Sequence, residues 1–214
     1  LGGVAWDYLQ YVLGLARLGY DVYYLEDTGQ WPYNPLEGGV AKTCEFNVNY
    51  LSNMMSRFDL SDKWMYRFPW KSTWYGLDAE QRESVLHSAD LLINVSGTLQ
   101  RPEEYRYIPR MAYIDSDPVF TQVKLARGQH DFRRMIDTHD VQFSFGECHS
   151  SAVPVTGHTW VPTRQPIVLS EWKNDLPHRN VFTTVMNWTS YKDVEHDGVR
   201  YAQKDVEFER FMEL

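Results

Sequence analysis

The chain has 214 residues, 43% hydrophobic and 23% charged, enough to bury a real core. Its net charge of −8 argues against a nucleic-acid binder, because nothing here would neutralise phosphate along a duplex. No apolar stretch approaches the length of a membrane span, and no signal-peptide pattern is present.

In chain order, Gly2-Gly3 feeds an amphipathic helix on which Asp7, Gln10, Gly14 and Arg17 share one face. Gly19 closes that helix, and Tyr20 to Glu26 follows as an aromatic, β-branched run of strand length. A Gly-Gly turn before a helix and then a strand is the front of an α/β domain that handles nucleotides or sugars. The strand expected ahead of the glycines is missing, which suggests a fragment cut just after its first strand.

Asp27 to Pro35 is loop by its Gly and Pro content. Val40 to Phe58 is expected to be helical, with Phe46, Tyr50, Met54 and Phe58 on one stripe, and Trp64 to Tyr75 to be irregular. Asp78 caps a short helix to Ser88, with Gln81 three residues on. Asp90–Val95 and Arg110–Ile114 are expected as buried strands, ending in Ser96-Gly97 and Asp115-Ser-Asp117. Helices over 119–126 and 131–136 lead to a strand at Val141–Phe145. Pro154, Pro162, Pro166 and Pro177 then mark a crossing, after which a strand (Val181–Met186), a polar loop and a helix (Gln203–Leu214) open a second unit.

Strands alternating with helices predict an α/β fold, a Rossmann-like doubly wound parallel sheet truncated at both ends. The expected organisation is a nearly complete domain over 1–160, a linker over 161–180, and one β–α unit of a second domain over 181–214.

In such sheets ligands bind beyond the carboxyl ends of the strands. That rule selects Gly2, Gly3, Glu26, Ser96, Gly97, Asp115 and Asp117 as substrate-binding candidates, each with a capping or turn role as the plainer alternative. Asp7, in the first helical turn, is the candidate general base, although a helix dipole also favours an acid there. Asp115-Ser-Asp117 has a spacing that can hold a divalent cation, but a rigid turn before Pro118 is the simpler reading, and no metal site is assigned. His149, near the crossing, is a further cleft candidate. Asn187, Gln203 and Lys204 are candidates for seating a nucleotide diphosphate.

The full G-x-G-x-x-G fingerprint is absent, since Trp6 and Asp7 stand where small residues belong. Cys44 and Cys148 form no metal-ligand pair, and so few cysteines suit a reducing cytoplasm. Arg133-Arg134, the only adjacent cations, fit a solvated helix face. Asn94-Val-Ser96 and Asn187-Trp-Thr189 match a glycosylation acceptor pattern by chance. With 8 Trp and 14 Tyr, some rings must be partly exposed, and stacking on sugar faces is one use for them.

The run from Gly2 to Glu26, including Leu18-Gly-Tyr-Asp-Val22, resembles the amino-terminal domain of bacterial GT-B-type glycosyltransferase-like proteins. Tyr20 replaces the His common in that family at the approach to the strand. The resemblance implies two Rossmann-like domains across a cleft, the first meeting the acceptor and the second binding a nucleotide-sugar. It implies glycosyl transfer to a hydroxyl, with the nucleotide-sugar as substrate, no cofactor and no required metal. The open alternatives are a nucleotide-dependent oxidoreductase or epimerase, and a non-catalytic carbohydrate-binding relative.

Overall fold

A computed structural model describes residues 2–70, 73–147, 153–172, 180–181, 188 and 192–211. The elements are α1 (Gly2–Arg17), β1 (Tyr24–Glu26), β2 (Tyr33–Asn34), β3 (Gly39–Val40), α2 (Glu45–Ser56), β4 (Trp64–Phe68), β5 (Thr73–Gly76), α3 (Ala79–Ser88) and β6 (Leu91–Val95). They continue with β7 (Arg110–Asp115), α4 (Phe120–Ala126), α5 (His130–Asp137), β8 (Val141–Ser144), β9 (Trp160–Pro162), β10 (Val194–His196), β11 (Val199–Tyr201) and α6 (Lys204–Glu207).

The fold is mixed α/β. A four-stranded sheet of order β6-β7-β8-β9 is parallel throughout, and helices flank it. A second sheet has the order β1-β4-β5, with β1 and β4 parallel and β5 returning antiparallel. This arrangement is compatible with a Rossmann-like fold.

A buried run accounts for β7, a central strand of the parallel sheet. In β7, Met111 to Asp115 is buried residue after residue, as a strand covered on both faces must be. The helix before β6 starts as its sequence dictates: Asp78 accepts the Gln81 amide at 2.8 Å and Gln81 returns a bond at 3.2 Å. Such a capping box contributes about 1 kcal/mol.

The largest core joins Leu9, Val12 and Leu13 of α1 to Leu51 and Met55 of α2 and to Trp64, Tyr66 and Phe68 of β4. Each such side chain contributes roughly 2 kcal/mol on burial. Smaller clusters lie under β6 and β7, around Leu92, Ile108 and Met111, and against α4 and α5, around Tyr113, Leu125 and Ile136.

Several expectations are corrected. Gly2 and Gly3 belong to the first turn of α1 rather than to a turn before it. The strand expected from Tyr20 is regular only over Tyr24–Glu26. The helix expected from Val40 begins at Glu45, and its buried residues are Leu51 and Met55, while Phe46 and Tyr50 stack on each other beside that line. Within the stretch expected to be irregular, Trp64–Phe68 pairs with β1 on one side and with Thr73–Gly76, antiparallel, on the other, as an aromatic run can.

The stretch expected as a linker begins with β9, an edge strand whose terminal Pro162 needs no donor there. It then packs on α1. Gln10 is 2% exposed, and its Oε1 accepts the Val168 amide at 2.6 Å. Gln165 donates to the Asp7 carbonyl at 3.0 Å, and Arg17 bonds Ser170 and pairs with Glu171. The polar stripe of α1 is therefore a seat for residues 165–171.

The polar loop of the last unit contains the β10–β11 hairpin, turned at Asp197 and Gly198, both at positive φ. The final helix is the short α6 followed by a 3-10 turn at Phe208–Phe211. The strand expected over 181–186 lies outside the described residues from 182 on.

Candidate functional site

The site grows from the turn that ends β6. Asn94, 2% exposed, donates to the Leu99 carbonyl at 3.2 Å and accepts the Leu99 amide at 3.1 Å. That clasp closes the loop and, with the side chain buried, leaves the glycosylation match at this position fortuitous. Within the loop Ser96 and Gly97 both take positive φ. A Cβ on Gly97 would lie 2.8 Å from the Met135 methyl and 3.4 Å from the Tyr113 ring, so the position needs glycine. Ser96 and Thr98 are left exposed at the rim.

At the end of β7, Asp115 is 1% exposed. It accepts the Asp117 amide at 3.0 Å, Thr121 Oγ1 at 2.7 Å, Gln122 Nε2 at 3.1 Å and Ser144 Oγ at 3.3 Å. This carboxylate is saturated and faces inward; it fixes the β7–α4 turn. The turn presents Ser116, whose hydroxyl bonds that of Ser96. It also presents Asp117, whose pKa burial and the Asp115 charge push up, against the pull of Lys124 and Lys204.

Tyr8 of α1 links these strand ends to β1. Its hydroxyl lies close to the Ser96 and Thr98 side chains, which hold its pKa down, and within electrostatic reach of Glu26. Burial raises the Tyr8 pKa. Glu26, half-buried at the end of β1, accepts the Tyr24 hydroxyl at 3.1 Å. Burial pushes its carboxyl above the usual range, and the Tyr24 bond offsets part of that rise. Next to it Asp27 is buried among Arg67 at 3.1 Å, Arg101 at 3.3 Å and the Tyr105 hydroxyl at 2.8 Å. Glu104 completes this network by pairing with both arginines. The network ties the carboxyl ends of β1 and β4 to the turn after β6.

Glu26, Ser96, Gly97, Asp115 and Asp117 thus stand along one rim at the carboxyl ends of β1, β6 and β7, with Asp115 turned inward. Lys204 is exposed and within electrostatic reach of Asp117; Gln203 precedes it at the start of α6. Asp7 is exposed on α1, and its charge is felt by Tyr8 and Tyr11. Gly2 and Gly3 open the same helix, and a Cβ on Gly3 would meet nothing within 4 Å. His149 and Asn187 lie outside the described residues.

Tyr8, Thr98 and Ser116 were not singled out in the sequence. The signal for Tyr8 is a hydroxyl-tipped ring on the apolar stripe Val4, Tyr8, Val12, Leu15. Among the exposed rings, Trp70 is 56% exposed and packs on Trp31 with centroids 3.7 Å apart.

Among the described residues no group of three or more His, Cys, Asp or Glu could hold a metal ion, and no helix is long and apolar enough to cross a membrane. No family model, no curated protein and no solved structure matches this chain.

Proposed function

We propose that this chain is the acceptor-side α/β domain of a GT-B-like glycosyltransferase, moving a glycosyl group from a nucleotide-sugar to a hydroxyl acceptor. One observation carries the reading. A carboxylate of raised pKa, three hydroxyls and a cation line one rim at the carboxyl ends of parallel strands. Carboxylates and hydroxyls in such a row suit the many hydroxyls of a sugar.

Glu26 takes the role of general base here. A carboxyl whose pKa is raised by burial binds a proton better near neutrality than an ordinary one does. It would accept the acceptor's proton as the hydroxyl oxygen bonds the anomeric carbon and the nucleotide diphosphate leaves with the glycosidic electron pair. Tyr8, Ser96 and Thr98 would orient the acceptor. Lys204 would meet the negative charge that develops on the leaving diphosphate. Asp7, the base favoured by sequence alone, is the comparison residue.

The test uses the full-length protein, a panel of nucleotide-sugars and a panel of hydroxyl acceptors. Glu26→Gln is expected to lower transfer by about 100-fold or more with nucleotide-sugar affinity unchanged, and Asp7→Asn by less than about 10-fold. The reverse ranking returns the base role to Asp7. A full-length protein that binds NAD(P) and no nucleotide-sugar points to an oxidoreductase or epimerase. One that binds sugars without turnover points to the carbohydrate-binding relative.

A further inference from the structure

Phe68, Trp31 and Trp70 form a row of rings that leads from the core to the solvent. Phe68, the last residue of β4, is buried in the core shared by α1, α2 and β4. Trp31 meets it edge-on, with centroids 6.2 Å apart and ring planes at 61°. Trp70 lies on Trp31 at 3.7 Å and 36°. The outer indole is thus backed by a ring anchored in the core, while 56% of the residue stays exposed. A single exposed apolar side chain needs no explanation. An exposed indole held from behind by a second indole is different, because its open face is fixed before anything binds.

The fold sets this pair at the end of the sheet that carries Glu26. β1 and β4 run parallel, so the loop after Glu26, which bears Trp31, and the turn after Phe68, which bears Trp70, emerge together. At that same end Arg67 reaches across to Asp27 at 3.1 Å. The Trp31 loop also touches the turn after β6, since a Cβ on Gly29 would stand 3.9 Å from Gln100 Cβ. Thr28 lines the same groove as Glu26, and Gln30 is exposed next to Trp31 in the chain. Glu26 and Trp31 are five residues apart, at most ~17 Å of chain.

Several kinds of ligand stack on an indole face. A nucleotide would bring its phosphates to a chain of net charge −8. A purely apolar partner would bury the Gln30 carboxamide without a hydrogen-bond partner. A sugar ring suits both neighbours. The C–H bonds on one face of a pyranose, made slightly positive by its oxygens, meet the negative face of the indole. Its hydroxyls at the ring edge can bond side chains such as Gln30 and Thr28, and it carries no charge for the acidic surface to repel.

We infer that Trp70, backed by Trp31, is a stacking platform for a pyranose ring of a neutral oligosaccharide that extends from there toward Glu26. Trp70 touches the sugar; Trp31 is a positioning residue that fixes the plane of the outer ring. Identifying this saccharide with the hydroxyl acceptor rests on the glycosyl-transfer reading, whereas the platform itself does not.

The test is titration of the full-length protein with neutral trisaccharides of gluco, galacto and manno configuration, without nucleotide-sugar, read by tryptophan fluorescence and calorimetry. At least one is expected to bind, Trp70→Ala to weaken it by about 10-fold or more, and Trp70→Phe to recover most of that loss. The melting temperature of Trp70→Ala should stay within about 2 °C of the parent's, which separates a lost contact from a lost fold. Sugar binding through Trp70 with no glycosyl transfer leaves the platform standing and removes the glycosyl-transfer reading. Transfer with neither binding nor acceptor KM altered in Trp70→Ala does the reverse. Failure of every trisaccharide to bind overturns the inference. So does saturation of the Trp70 signal by choline alone, or a dimer that Trp70→Ala dissociates.

Discussion

Gln10 and Val168 meet across 158 positions of sequence, the Gln10 side-chain oxygen accepting the Val168 amide at 2.6 Å. Gly14, one helical turn on, lets Val168 lie 3.6 Å from where a Cβ would stand. Together they seat the segment after β9 on the helix that also carries Tyr8.

Gln10→Leu is expected to destabilise the fold by roughly 1–2 kcal/mol, because it leaves a buried amide without an acceptor. The denaturant midpoint measures the loss. Limited proteolysis should show new cleavage within residues 163–172 before global unfolding. A variant that loses stability with no local opening would mean that the segment is held elsewhere.

Asp115→Asn is expected to cost roughly 2–3 kcal/mol, since an amide presents one acceptor and two donors to a site built from donors. The effect should appear in thermal unfolding. Asp117→Asn, on the half-buried outer side of the same turn, should change stability by less than about 1 kcal/mol. Equal costs would show that Asp115 is not the anchor of the turn.

His139 supplies a pH dependence. It is 4% exposed; its Nδ1 donates to the Met135 carbonyl at 2.9 Å and its Nε2 accepts from Asn94 at 3.3 Å. Burial holds its pKa below the usual 6.5, with the carbonyls of Ile136 and Met135 resisting the drop. Above 6.5 both folded and unfolded forms are neutral. As pH falls below that, the unfolded chain takes up a proton first, so stability falls until the folded value is reached. His139→Gln should be less stable at about pH 7.5, yet lose less on acidification to about pH 5 than the parent does. Urea titrations at the two pH values check it, and an unchanged slope would remove His139 as the cause.

Local signals were legible where they answer to local physics. The Asp78–Gln81 capping box, the buried run of β7 and the amphipathic α5 all follow from spacing and residue type, whereas β6, expected buried, alternates and leaves Leu91 half exposed. The Asp197-Gly198 turn carries its own hairpin signal, although the residues around it look like polar loop. The β4–β5 pairing was hidden because Pro69 and the polar Lys71-Ser72-Thr73 interrupt the aromatic run and mask its strand character. For the site, strand ends pointed to Glu26, Ser96 and Asp117. They could not show that Asp115 is consumed internally, nor that Tyr8 bridges the rim.

The sequence by itself determined the alternation of strands and helices and the acid-and-hydroxyl chemistry at the strand ends. Only the tertiary structure decided which groups face one another: that Gln10 and Arg17 hold residues 168–171, that Tyr8 meets Ser96, and that Trp70 packs on Trp31. The reason is physical. Propensity and periodicity are set within a few residues, whereas backbone pairing and buried hydrogen bonds depend on which distant segment fills the space beside them.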